Sequence, residues 1–261
     1  MNYKISNPHS LWFTGYPSSG KSTIAKLLRS KLRSYNIPVL ILDGDDVRRN
    51  YLQRLKYKKK DRVHSVKFFI SLTKLLMQMD VIVIISANHA SKTQRNLARQ
   101  KIKKKYSEIW ISSPLNLCKK RDVKNLYDKA KKNKIKNLVG HDIKFEIPDN
   151  YDLKVDTTKK KIDCVNKLFS YLVKKKILKA FPHLKKKDVI TASNGHTGPD
   201  IVLSKVARKL VGVNFECKNQ NKMKTVYDWY KQSAKGSNKL MPSVVIKMNT
   251  RHAIKKFSLH K

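Results

Sequence analysis

Apolar positions along this chain fall into short dense runs separated by stretches of helical spacing. Leu11-Trp12-Phe13, Pro38-Val39-Leu40-Ile41-Leu42, Val81-Ile82-Val83-Ile84-Ile85 and Glu108-Ile109-Trp110-Ile111 each read as a strand, and Leu153-Lys154-Val155-Asp156 as a short fifth one. The first two read as buried, and the third, five β-branched residues with no alternation, predicts cover on both faces. Between the strands, Thr23 to Lys31 opens an amphipathic helix with Ile24, Leu27, Leu28 and Leu32 on one face. A second helix starts at Asp61 and runs to about Met79, a basic one spans Thr93 to Lys104, and Pro114 begins a short one through Arg121. Residues 51–60 read as a Lys-rich loop and 122–150 as a polar, weakly periodic, mobile cover. A long helix begins near Lys159. Strands alternating with helices predict an α/β fold, a parallel sheet with helices on both faces.

The pattern changes further on. Lys174-Lys175-Lys176 and Lys185-Lys186-Lys187 bracket Ile177 to Leu184, and a boundary near 176 divides the chain into 1–176 and 177–261. The second part holds Val189-Ile190-Thr191-Ala192, a Gly-rich turn over 193–198, Val213 to Lys218, a helix over Val226 to Ala234 and a strand over Ser243 to Lys247. This composition predicts a small α+β domain.

Chemistry enters at Gly15-Tyr16-Pro17-Ser18-Ser19-Gly20-Lys21-Ser22, which has the G-x-x-x-x-G-K-[ST] spacing of a P-loop between a strand and a helix. The glycines let successive backbone N–H groups converge on a polyphosphate, and the following helix, from Ser22 and Thr23 onward, presents its positive end. Lys21 is expected to reach the β and γ phosphates of ATP, and the Ser22 hydroxyl to ligate Mg²⁺. The second strand ends in Asp43-Gly44-Asp45-Asp46-Val47-Arg48, placing acids and an arginine at the carboxyl edge of the sheet, where open α/β sheets bind ligands.

Charge modifies this picture less than its size suggests. The 261 residues carry 59 Lys and Arg against 18 Asp and Glu, a net +41, which favours anionic partners. The basic residues are 48 Lys against 11 Arg and are spread along the whole length, whereas a surface shaped to grip phosphates recruits the arginine fork. DNA binding therefore does not follow from charge alone. Cys118, Cys164 and Cys217 are far apart, which suits reduced thiols. With no signal peptide and no apolar run near the ~20 residues of a membrane span, the expectation is a cytoplasmic protein without a membrane partner. An oligomer is compatible with all of this.

Several motifs in register resemble the adenylylsulfate (APS) kinase family over residues 9–172. They are the P-loop, Leu42 to Arg48, Asp61-Arg62, Arg121-Asp122-Val123-Lys124-Asn125-Leu126-Tyr127, and Val139-Gly140-His141-Asp142 with Glu146-Ile147-Pro148. The resemblance implies transfer of the ATP γ-phosphate to the 3′-hydroxyl of adenosine 5′-phosphosulfate, with Mg²⁺. On that reading Lys21, Asp43 and Asp45 serve the transfer, and Asp45 accepts the hydroxyl's proton or holds a metal-bound water. Arg48 and Arg62 clamp the anionic acceptor, while Lys124 and residues 132–148 form a lid that excludes water. Asp43 and Asp45 also suit a helix N-cap. The chain departs from the family at three places. The family's Phe-Ile-Ser-Pro-Tyr-Arg run is here Ala87-Asn88-His89-Ala90-Ser91-Lys92, its Glu-Asn-Ile-Arg is His64-Ser65-Val66-Lys67, and its lid Phe-Thr-Gly is Leu138-Val139-Gly140. These changes leave two acceptors open, APS or another hydroxyl compound.

The C-terminal part resembles the PD-(D/E)xK nuclease superfamily, in particular small phage-type nuclease domains. Asp200 heads one strand and Glu216-Cys217-Lys218 lies on the next, with Gln232 on the following helix. Asp200 and Glu216 would bind a divalent metal, and Lys218 would act on the attacking water. This implies a second expectation, a metal-dependent nuclease that contacts DNA through its C-terminal domain and uses the P-loop part for ATP binding.

Overall fold

The computed structural model describes residues 8–35, 37–55, 57–180, 184–191, 201–207, 244–245 and 256–257. The chain divides into two units, 1–165 and 166–261. In the first, the apolar runs become β1 (His9–Thr14), β2 (Val39–Asp43), β3 (Ile82–Ser86), β4 (Tyr106–Ser112) and β5 (Leu153–Asp156). Every pairing between them is parallel, in the order β2-β3-β1-β4-β5. The expected α/β sheet is therefore present. The helices are α1 (Lys21–Arg33), α2 (Gly44–Tyr51), α3 (Lys59–Gln78), α4 (Lys92–Ile102), α5 (Leu115–Arg121), α6 (Leu126–Lys131) and α7 (Lys161–Ala180), which runs across the division between the units.

Alternation along the central strands sends side chains to both faces. Trp12, Val83 and Ile85 pack with Val66, Phe69 and Ile70 of α3 and with Ala98 and Ile102 of α4. On α1, Ile24, Ala25, Leu28 and Leu32 are buried. Leu27, expected on the same face, is 40% exposed: the helix buries a narrower stripe than its apolar spacing suggested. The β2 expectation is corrected too. β2 is an edge strand, so Leu40 is exposed and only Val39 of its five residues is fully buried, whereas all of β3 is.

Strand register sets the site. Asp43 lies level with Ser86, and Ser86 with Phe13, so the ends of β2, β3 and β1 form one edge from which the P-loop departs. The cover over 122–150 is packed rather than loose. Asp122 accepts from the backbone N–H of Leu126, Tyr127 and Asp128 and so caps α6. Two clusters hold the rest: Cys118, Tyr127, Ala130 and Leu138, then Ala90, Val139 and Phe145, with Tyr16 of the P-loop against both.

In the second unit β6 (Val189–Thr191) pairs antiparallel with β7 (Ile201–Leu203) over a core of Leu184, Val189, Ile201, Leu203 and Ala207. Short β8 (Val244–Val245) pairs with β9 (Lys256–Phe257). Asp200, Glu216, Lys218, Gln232 and the 226–234 helix lie outside the described residues, although β7 begins directly after Asp200.

Candidate active site

The P-loop joins the end of β1 to the start of α1. A Cβ on Gly15 would lie 2.4 Å from the Ile111 carbonyl oxygen of β4, so only glycine permits this approach. Gly20 takes φ 96° as the N-cap of α1 and offers no side-chain cap, leaving the first N–H groups of the helix for an anion. Ser19 is buried, and its carbonyl accepts a 2.9 Å bond from Thr157 Oγ1 beyond β5. Arg121 in turn donates to the Thr157 carbonyl at 2.8 Å, and the Tyr127 hydroxyl to the Pro17 carbonyl at 3.3 Å. The Arg121-to-Tyr127 motif thus braces the loop from the cover side. Tyr16, Pro17 and Ser18 are half-buried, and Thr23 is exposed on the first turn of α1.

Lys21 folds back on the loop, donating to the Gly15 carbonyl at 3.0 Å and the Tyr16 carbonyl at 2.6 Å. Burial pushes its pKa down to about 8, opposed by Cys118, Asp45 and Asp43. The Ser22 hydroxyl donates to Asp43 Oδ2 at 2.6 Å and accepts from the Ser86 hydroxyl at 3.2 Å. Two hydroxyls and a carboxylate are hard oxygen donors. They suit Mg²⁺, which takes one or two protein oxygens and completes its shell with phosphates and water. Asp43 also N-caps α2 through the Asp45 backbone N–H at 3.0 Å, as the capping reading of this acid expected.

Asp45 is more exposed and forms an ion pair with Lys124 of the cover, whose pKa is raised chiefly by that hydrogen bond. Arg48 and Arg62 flank one ring, Tyr57, with guanidinium carbons 4.5 and 5.7 Å from its centroid. Arg48 also donates to the Leu55 carbonyl, and Arg62 to those of Tyr57 and Asn137. Tyr57 was missed in the sequence. Its signal was being an aromatic residue among lysines, between Arg54 and Arg62.

The segment 87–92 departs from the family's residues. His89, which stands where the family has a serine, is buried with its ring against Trp12 and Phe69. Trp12 Nε1 donates to its Nδ1 at 2.8 Å, and burial, reinforced by Arg95 and Lys21, pushes its pKa down to about 3. His89 is therefore a neutral core group. Lys92, in place of the family's arginine, is tied to Asp149 at 2.7 Å. Arg95, 1% exposed, holds the segment from below: it donates to the His89, Ala90 and Glu146 carbonyls at 2.9, 3.0 and 2.7 Å and pairs with Glu108 at 2.8 Å. Glu146 reaches back to the Lys92 backbone N–H and helps cap α4. Among the described residues no helix is long and apolar enough to cross a membrane.

A glycine cradle, a lysine and a hydroxyl–carboxylate pair at the head of a parallel sheet define a P-loop kinase. The comparisons narrow the class. The adenylylsulphate kinase family model matches residues 7–156, and the chain belongs to that family. Adenylyl-sulfate kinase of Clostridium acetobutylicum is 36% identical over 169 residues, covering 64% of this chain and 84% of that one. That of Bacteroides thetaiotaomicron is 36% identical over 167 residues, covering 63% and 83%. Among solved structures, the Mycobacterium tuberculosis APS kinase in complex with AMPPNP and APS superposes with a TM-score of 0.62 at 28% identity, covering 64% of this chain and 98% of that one. The family's members are kinases that use ATP with Mg²⁺.

Proposed function

We propose that the chain transfers the γ-phosphate of ATP to the 3′-hydroxyl of adenosine 5′-phosphosulfate. The observation that carries this reading is the Ser22–Asp43–Ser86 cluster beside Lys21, which fits a Mg²⁺–polyphosphate within reach of Asp45, on a chain of this family. The ion would neutralise charge on the phosphates. Lys21 leaves its loop carbonyls to pair with the β and γ phosphates, and the α1 N-terminus adds backbone N–H groups. Asp43, fixed by Ser22 and by its capping bond, serves the metal side. Asp45 is freer, and on release from Lys124 it accepts the proton of the attacking hydroxyl as the new P–O bond forms and the bond to the β-phosphate oxygen breaks. Lys124 is then available to the phosphates. Arg48 and Arg62, both seated against the ring of Tyr57, clamp the phosphosulfate.

Incubation with Mg²⁺, ATP and APS, with separation of the nucleotides, tests the reading. A 3′-phosphorylated product that disappears in Lys21→Ala supports it, and ATP binding without product would move the acceptor to another hydroxyl compound. The second reading concerns the region beyond the family match. The proposed division is a kinase part over 1–176 and a nuclease-like part over 177–261, with Asp200 and Glu216 as metal ligands and Lys218 beside them. Its support is the hairpin whose second strand starts right after Asp200. Metal-dependent DNA cleavage that survives Lys21→Ala and is lost in Glu216→Ala is its test.

A further inference from the structure

Four side-chain atoms among the described residues are buried without a hydrogen-bond partner: Thr73 Oγ1, Asn88 Oδ1, Arg99 Nε and Ser113 Oγ. Thr73 and Arg99 lie within α3 and α4. Asn88 and Ser113 instead follow the carboxyl ends of β3 and β4, the two strands that flank β1 and its P-loop. A buried amide oxygen with no donor costs folding stability, so its presence at the ligand-binding edge points to a partner that arrives with a ligand.

The backbone around Asn88 is fixed on both sides. Ala87 abuts Gly44, where an added Cβ would come within 2.9 Å of the Ala87 Cβ, so Asn88 adjoins the Asp43-Gly44-Asp45 turn. On the other side the His89 carbonyl is held by Thr14 at 3.1 Å and Arg95 at 2.9 Å. The main chain of this loop is therefore fixed, and Asn88 Oδ1 is left with no protein donor. The chemistry then selects the ligand group. Phosphate and sulfate at neutral pH offer almost only acceptor oxygens, whereas an amide oxygen needs an N–H or O–H. Lys92, the cation of this segment, is engaged with Asp149, and the anionic end of an acceptor is left to Arg48 and Arg62.

Resting on the kinase reading above, we propose that Asn88 is a specificity-determining residue whose Oδ1 accepts a hydrogen bond from an N–H or O–H of the acceptor's nucleoside part, other than the attacking 3′-hydroxyl. The family's usual isoleucine at this position has no such group. The donor is either the ribose 2′-hydroxyl or the amino group of adenine, and the experiment separates them.

Wild type, Asn88→Ile and Asn88→Ala are assayed at saturating ATP with APS, its 2′-deoxy analogue and the analogue lacking the adenine amino group. Thermal unfolding of each free protein is measured alongside. Asn88→Ile is expected to unfold at a higher temperature than wild type, while kcat/KM for APS falls on the order of tenfold and the KM for ATP is unchanged. One analogue is expected to lose on the order of tenfold with wild type and nothing further with either variant, because ligand donor and protein acceptor belong to one bond. A purely structural role would give additive losses. Equal kcat/KM for APS in wild type and both variants, or additive losses with both analogues, would overturn the assignment. Absence of product from APS with wild type would instead remove the kinase reading, and the assignment with it.

Discussion

Replacing Arg95 by methionine is expected to destabilise the first unit severely. The side chain is 1% exposed and its guanidinium serves four partners: the Glu108 carboxylate and the carbonyls of His89, Ala90 and Glu146. Methionine fills much of the stem's volume, so the loss is mainly electrostatic. Glu108 would keep only weaker contacts, Arg99 at 3.3 Å and Tyr106 at 3.4 Å. Breaking a buried ion pair from one side costs about 3–5 kcal/mol. The His89 and Ala90 carbonyls keep the Thr14 hydroxyl at 3.1 Å and the Glu146 N–H at 3.0 Å, so the loss centres on the Glu108 charge and the Glu146 carbonyl, about 4 kcal/mol. For a unit of this size each kcal/mol lowers Tm by about 2–4 °C, so the shift should be on the order of 10–15 °C. Urea unfolding followed by circular dichroism measures the free energy, and calorimetry the Tm. The cycle is completed with Glu108→Leu and the double variant. Removing both charges leaves no stranded carboxylate, so the double variant should be more stable than the sum of the singles requires. A loss below about 1 kcal/mol in Arg95→Met, or strict additivity in the cycle, would show that the network is not the brace described here.

Four further outcomes follow from the site. Lys21 titrates near 8 in the folded chain against 10.5 when exposed, so between those values the folded state holds fewer protons and stability rises with pH; Lys21→Met should lack that increment in pH-dependent unfolding. Because phosphates favour the ammonium, binding of an ATP analogue above pH 8 should take up a proton in wild type, read by calorimetry in buffers of different ionisation enthalpy, and uptake undiminished in Lys21→Met would contradict this. Gly15→Ala meets the Ile111 carbonyl at 2.4 Å, so nucleotide binding should fall at least tenfold; a variant that binds ATP normally would refute the close approach. Tyr57→Ala should raise the KM for APS on the order of tenfold with little change in the KM for ATP, and equal changes in both would sever the ring from the acceptor.

The strands and the nucleotide half of the site were legible because each has a local signature. The apolar run of β3 announced a central strand, and the P-loop spacing announced its own turn and helix. Position within the sheet has no such signature: β2 is nearly as apolar as β3 yet lies at an edge, so Leu40 is exposed. The cover over 122–150 showed no period because its contacts are spread over Tyr16, Cys118, Tyr127, Leu138 and Phe145, residues drawn from distant segments. Ser86 joins the site through strand register alone. The place of His89 was hidden for a related reason. A histidine beside a substrate segment suggests chemistry, but Trp12, 77 residues away, supplies the indole that draws it into the core. Arg95 did leave a trace, as an arginine in a lysine-rich chain, and its fixed fork suits several partners at once.

Tyr16 belongs to the phosphate-binding loop and also touches both apolar clusters of the cover, with Phe145 4.9 Å away and Gly140 so close that a Cβ there would lie 3.1 Å from its ring. In evolutionary terms the position answers to two masters. A smaller residue would satisfy the loop's backbone while leaving a void between Leu138 and Phe145, and a side chain at 140, where φ is 86°, would meet Leu115 at 2.9 Å as well as the ring. Substitutions at 16, 115, 140 and 145 are therefore expected to be accepted in concert, a signature of covariation to be sought among relatives of this chain.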